Sequence, residues 1–172
     1  LGSLNGSPRI FVDADACPVK PEVYRVALRH DLEVRLVANV WMRTPAEGKV
    51  TLEVVKEGFD GADDRIVEEI GPEDLLVTAD IPLAGRAIRK GARVLGTTGR
   101  PFTDDNIGHT LATRNLLAEL RESGVVTGGP KPITQRDRSR FLHALDEMVR
   151  KALREGEPVR SRPLPSPPGG KE

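Results

Sequence analysis

Apolar positions along the chain follow two rhythms. Short β-branched runs at Arg9 to Asp13, Glu33 to Ala38, Asp74 to Ala79 and Ala92 to Leu95 read as strands. Amphipathic stretches lie between them. Pro21 to His30 places Val23, Val26, Ala27 and His30 at helical spacing, with Pro21 suited to a first turn. Asp60-Gly61-Ala62-Asp63 has the form of an acidic capping box opening a helix through Ile70, which Gly71-Pro72 ends. Pro82 to Lys90 is a further helix, closed by Gly91. The alternation predicts βαβ units, a mainly parallel sheet and the α/β class. Val50 to Val55 is ambiguous: Val50, Leu52 and Val54 alternate as in an edge strand, while Val54, Val55 and Phe59 also suit a helix.

In the second half, Thr103 or Asp104 is expected to cap a helix to Ser123, with Ile107, Leu111, Leu117 and Leu120 inward and Gly124 as the stop. Val125 to Ile133, with Thr127-Gly128-Gly129-Pro130-Lys131-Pro132, is a loop. A last helix begins at Thr134 with Asp137 as its box partner, and Phe141, Leu142, Leu145, Met148, Val149 and Ala152 form its apolar stripe. The pattern predicts one domain over 9–155, a flexible lead-in at 1–8, and a disordered Pro/Gly-rich tail from 156.

Composition narrows the function. The 26 basic and 26 acidic side chains cancel, so any nucleic-acid site must be local rather than a global field. No apolar run approaches the roughly 20 residues that span a bilayer, and the first residues lack the pattern of a signal peptide, which predicts a cytoplasmic protein without a membrane partner. Cys17 is the only cysteine, so an internal disulfide and a thiolate zinc cluster are both excluded.

The candidate chemistry lies in the acids. Ligand sites of parallel α/β sheets lie beyond the carboxyl ends of the strands. Asp13 ends the first strand, Asn39 follows the second, Asp80 follows Leu75 to Ala79, and Asp63 with Asp64 opens the helix after the ambiguous segment. Two charges about 4 Å apart repel by roughly 4 kcal/mol at an effective dielectric near 20. A divalent cation offsets that cost, and Mg²⁺ or Mn²⁺ with oxygen ligands suits phosphodiester hydrolysis. The alternative for each acid is a local one: Asp60 as a helix cap, Asp64 facing solvent, Asp15 capping the helix after Pro18. Asp13 and Asp80 fit such roles less well, because a lone acid ending an apolar strand gains nothing from the core.

Two acids separated by one residue after a strand also suit the haloacid-dehalogenase phosphatases, with Asp13 as nucleophile. Ala16-Cys17-Pro18 and a Thr78 only two residues before Asp80 leave those motifs compressed and out of order. A closer match lies elsewhere. Val12-Asp13-Ala14-Asp15-Ala16-Cys17-Pro18, Val37-Ala38-Asn39, Gly58-Phe59-Asp60 with Ala62-Asp63, Val77-Thr78-Ala79-Asp80-Ile81-Pro82-Leu83-Ala84, Thr127-Gly128-Gly129-Pro130, Gln135-Arg136-Asp137-Arg138 and Phe141 together resemble the YaiI/YqxD-type family of bacterial proteins. The resemblance covers about residues 9 to 153. It implies a PIN-like nuclease fold, a three-layer α/β/α sandwich with a metal site of acids at strand ends. By position it implies Asp13, Asp63 and Asp80 as catalytic metal ligands, with Asp15 from the family's own motif assisting. Where a further acid is expected after the last strand, Leu95 leads into Gly96-Thr97-Thr98-Gly99.

These observations give a working expectation: a Mg²⁺- or Mn²⁺-dependent nuclease, RNA ahead of DNA, with metal ligands Asp13, Asp15, Asp63 and Asp80. Asn39, Thr78, Lys131, Arg136 and Arg138 are the expected substrate contacts. The alternatives are a catalytically inactive PIN-like module that binds nucleic acid or a partner, and the phosphatase using Asp13. Arg136, Arg138 and Arg140 with Lys131 either hold a phosphate backbone or form a solvated helix face. Cys17, with no histidine nearby in sequence, reads as a packing residue, and His30, His109 and His143 have no metal-binding spacing. Gly96 to Gly99 can approach a phosphate but lacks a P-loop lysine. Trp41 either stacks a base or covers the edge of the core; an aromatic content of 3% argues against a stacking platform.

Overall fold

The computed structural model describes residues 6–56, 61–108 and 132–156. Its element order is β1 (Ile10–Asp13), α1 (Lys20–His30), β2 (Glu33–Ala38), β3 (Lys49–Val54), α2 (Gly61–Glu69), β4 (Leu75–Val77), α3 (Ile81–Arg89), β5 (Arg93–Leu95), β6 (Pro101–Phe102), a helical start α4 at 104–108, and α5 (Gln135–Gly156). Among the described residues six strands form one sheet in the order β3-β2-β1-β4-β5-β6, parallel throughout except for β6.

Strand β1 is central and buried on both faces, so it reads as a continuous apolar run rather than an alternating one. Ile10 and Val12 point toward α1 and α5, where they join Val23, Val26, Phe141, Leu145 and Val149. Phe11 points the other way, into Ala62, Ile66, Leu83, Ala84 and Ala87 of α2 and α3. These two cores make the fold a three-layer α/β/α sandwich. The ambiguous segment is an edge strand: β3 pairs with β2 over six residues, and Val50 and Leu52 pack on the α1 side while Lys49 and Thr51 face solvent. Alternation at an edge therefore outweighed the weaker helical spacing.

Strand β6 has no counterpart in the sequence pattern. A strand of two residues that starts with proline carries no periodic signal, and proline is tolerated there because β6 is an edge. The glycine loop before it is a turn rather than a phosphate cradle. Gly96 N–H donates to Arg100 O, and Gly99 at φ 86° lies so close to α5 that a Cβ would meet the Arg140 and Phe141 backbone at 3.1 Å.

The box read at Thr134 is formed. Thr134 N–H donates to Asp137 Oδ2 at 3.0 Å and Asp137 N–H donates to Thr134 Oγ1 at 3.1 Å. The backbone and side-chain bonds with Thr134 hold the Asp137 carboxyl below the ordinary range. For α4 it is Thr103, exchanging bonds with Asn106, that caps. The Asp60 box, Lys131, the Thr127 to Pro130 motif, the continuation of α4 and the expected tail lie outside the described residues.

A carboxylate at 8% exposure, Asp146 of α5, joins that helix to the end of α1. His30 Nε2 donates to Oδ1 at 2.8 Å, Arg29 lies at 3.2 Å, and Arg150 reaches Oδ2 at 3.0 Å. Burial pushes the Asp146 carboxyl up, but the His30 bond and the charges of Arg150, Arg29 and His30 outweigh it and hold the group below the usual range. A depressed acid contributes stability that is present above its unfolded value and lost as pH falls through its folded one. Asp146→Asn should therefore cost about 1–2 kcal/mol at pH 7 by urea unfolding. The gap from the parent chain should narrow below about pH 4; an equal gap at both pH values would refute this.

Candidate functional site

The strand order sets the location. The chain lays β2 and β3 on one side of β1 and then β4, β5 and β6 on the other, so connections diverge between β1 and β4. At such a point the carboxyl edge of an open α/β sheet has a crevice, which is where ligands bind. Asp13 is the last residue of β1, and Thr78 directly follows β4. Their side chains meet across the gap: the Thr78 hydroxyl donates to Asp13 Oδ2 at 3.1 Å.

Thr78 is 1% exposed. Its oxygen also accepts the Asp80 N–H at 3.0 Å, and its own N–H donates to Leu95 O. The expected substrate contact is thus turned inward, where it fixes the position of both acids. Asp80 is the N-cap of α3: Oδ1 accepts the Leu83 N–H at 3.1 Å, and a proline follows in the first turn. This cap uses one carboxylate oxygen, and the charge of Asp80 is felt at Asp13.

Burial is the main cause that pushes the Asp13 carboxyl up; the Thr78 bond pulls it partly back, and the charges of Asp80 and Asp15 add to the rise. Among the described residues, the charges that shift the Asp13 carboxyl, those of Asp80 and Asp15, are of its own sign. Asp15 does not cap α1, whose N-cap Val19 has no side-chain bond. Instead Asp15 Oδ2 accepts the Asn39 N–H at 2.7 Å, tying the turn after β1 to the end of β2. Asn39 enters the site through its backbone.

The other expected residues that the structure describes lie on α2 and α5. Asp63 lies in the first turn of α2. Arg138 Nη1 donates to Pro18 O at 2.8 Å and lies 3.4 Å from Glu22, so it joins α5 to the start of α1. Arg136 is exposed. Cys17 is buried and its thiol is pushed up to about 11 by burial, as a packing residue should be. Lys20 went unremarked in the sequence, yet its Nζ donates to the Ala14 and Cys17 carbonyls and holds the turn that carries Asp15. A lysine at the first helical position, three residues after that turn, is the only local hint of this.

Among the described residues, no three His, Cys, Asp or Glu side chains are gathered to hold an ion. Asp13 and Asp80 are a pair of oxygen donors, with Asp15 at their edge. Such a set fits Mg²⁺ or Mn²⁺, which bind through one or two carboxylates and keep several waters, rather than zinc with its closed nitrogen and sulfur cage. A cavity of about 300 Å³ lined by Arg9, Glu69, Pro72 and Asp74 lies at the opposite, amino edge of the sheet.

Comparison with known proteins gives a consistent picture. The model of the family described as "Uncharacterized BCR, YaiI/YqxD family" matches residues 11–151. A UPF0178 protein of Bradyrhizobium sp. (strain ORS 278) is 51% identical over 146 residues, 85% of this chain and 89% of its own. One from Rhodopseudomonas palustris (strain HaA2) is 50% identical over 160 residues, 93% of each chain. Another, from Paramagnetospirillum magneticum, is 53% identical over 146 residues, covering 85% of this chain and 97% of that one. No solved structure matches the chain.

Proposed function

The chain belongs to the YaiI/YqxD family, and from its acidic edge we propose a divalent-metal-dependent nuclease that hydrolyses phosphodiester bonds, RNA ahead of DNA. The observation that carries this reading is Asp13: a half-buried carboxylate at the point where the strand order reverses, held by Thr78 and repelled by the like charges of Asp80 and Asp15. A group in that setting gains most from a bound cation.

Asp13 and Asp80 would hold Mg²⁺ or Mn²⁺, with Asp15 assisting; Asp63, from α2, is the further ligand the family resemblance implies. A divalent ion bound there supplies charge to polarise a phosphate and lower the pKa of water. The chain's own groups do the positioning. Thr78 keeps Asp13 and Asp80 in register across the gap, and the α3 cap fixes the direction of Asp80. Lys20 and the Asn39 amide shape the turn beneath Asp15. Arg136, exposed at the start of α5, is available to a phosphate chain, whereas Arg138 would first have to leave Pro18 and Glu22.

A second reading has its own support. Gly96, in the turn after β5, occupies the position where the resemblance implies another acid. A module that binds nucleic acid without cutting it would tolerate that change. End-labelled RNA and DNA strands incubated with pure protein in Mn²⁺, in Mg²⁺ and in EDTA separate the two. Cleavage of RNA in the metals alone is expected. Binding without cleavage would overturn the nuclease in favour of the module, and turnover of phosphomonoesters with a trapped phospho-aspartate at Asp13 would favour a phosphatase.

A further inference from the structure

Trp41 does not cover the core. It is 73% exposed, and Val40 beside it is 66% exposed. The two are held out rather than loose. Before them, the Asn39 N–H is bound by Asp15 at 2.7 Å; after them, Met42 packs against the core on the α1 side. The backbone is thus anchored on both sides of a pair of apolar side chains presented to solvent, on the same sheet edge as Asp13. Nearby positions supply positive charge. Arg43 follows in the same loop, and Lys56 lies just past β3 on that edge; both are exposed, and neither has a hydrogen bond or ion pair among the described residues.

An aromatic face beside unpaired cations and a carboxylate site suits a chain that alternates flat bases with phosphates. Base-on-ring stacking needs an open π-face, which a paired base in a duplex does not offer, and the cations meet the backbone charge. We propose that Trp41 stacks a base of a single-stranded nucleic acid, with Arg43 on an adjacent phosphate, and so seats the strand over the Asp13 edge. A single ring is enough for one base, so the low aromatic content does not count against it. The choice of nucleic acid as the occupant rests on the proposed function, but the stacking is measured without cleavage.

Trp41 is the sole tryptophan, so its emission reports on this position alone. In EDTA, the full chain is titrated with oligouridylate and with an abasic strand of equal length and charge. Oligouridylate should quench the emission and the abasic strand should not. Trp41→Ala should weaken oligouridylate binding by about 5- to 100-fold, and Trp41→Phe should recover most of it. Unchanged binding by Trp41→Ala, equal binding of the abasic strand, or no binding at all overturns the proposal. So does a self-association in sedimentation that Trp41→Ala abolishes, which would assign the patch to a second copy. Metal-dependent cleavage by a Trp41→Ala chain with unaltered KM would overturn stacking and leave the nuclease standing. Base-dependent quenching in a chain that never cleaves would do the reverse.

Discussion

Replacing Asp13 by asparagine should remove metal-dependent cleavage, by about 10²-fold or more, while making the metal-free fold more stable. Both effects have one origin. Burial and the charges of Asp80 and Asp15 raise the Asp13 carboxyl above its unfolded value. Between those two values the native state binds the extra proton, so stability falls as pH rises through that window, and above it the full cost remains. The amide is isosteric, carries no charge, and can still accept the Thr78 hydroxyl. Unfolding in EDTA at neutral pH should thus show the variant ahead of the parent, an advantage that disappears toward acid where both are neutral.

Metal should reverse the ranking. A ligand at 100 times its Kd stabilises a native state by about 2.7 kcal/mol, or about 5–11 °C in Tm for a chain of this size. Mn²⁺ should produce such a rise in the parent and little in Asp13→Asn. If the variant responds to Mn²⁺ as the parent does, Asp13 is not a ligand, and the assignment of the site fails whatever the cleavage assay shows.

Asp74→Ala should have the largest effect on stability, about 3–5 kcal/mol, without altering turnover per folded molecule. Asp74 lies at the amino edge, just before β4, and Arg9 just before β1; their side chains are 4% and 10% exposed. Oδ1 accepts the Arg9 N–H at 3.0 Å and Nε at 3.3 Å, while Oδ2 accepts Nη2 at 2.9 Å and the Gly71 N–H at 2.9 Å. Arg9 also donates to Glu69 O and lies 5.0 Å from the Phe11 ring centroid. Alanine would leave a guanidinium enclosed without its counter-charge, and two backbone amides without an acceptor. The cost is in the orphaned partners rather than in the pair itself. Urea unfolding of Asp74→Ala beside Arg9→Met/Asp74→Leu tests this: the double variant should regain the share of the loss that comes from the stranded guanidinium, while the Arg9 and Gly71 amides still lack their acceptor. A double variant as weak as the single would show that the stranded guanidinium is not a source of the loss.

The sequence by itself determined the features whose physics is local. Strand β2 is Glu33–Ala38 as its β-branched run predicts, α1 begins around Pro21, and the Thr134 and Asp137 box is formed. Periodicity and capping act within a turn or a pleat, so they are written in consecutive residues. Asp13 at a strand end and Asp80 before a proline-led helix were legible for the same reason. What lay beyond that range was decided by strand pairing. Placing β1 between β2 and β4 brought Thr78 against Asp13 across 65 positions of sequence, and brought Asp15 to the Asn39 amide across 24. The same packing turned Arg138 toward α1, closed the glycine loop against α5, and left Trp41 outside. No local propensity encodes such contacts, because each depends on which strands become neighbours, and that is settled by burying both faces of the sheet at once.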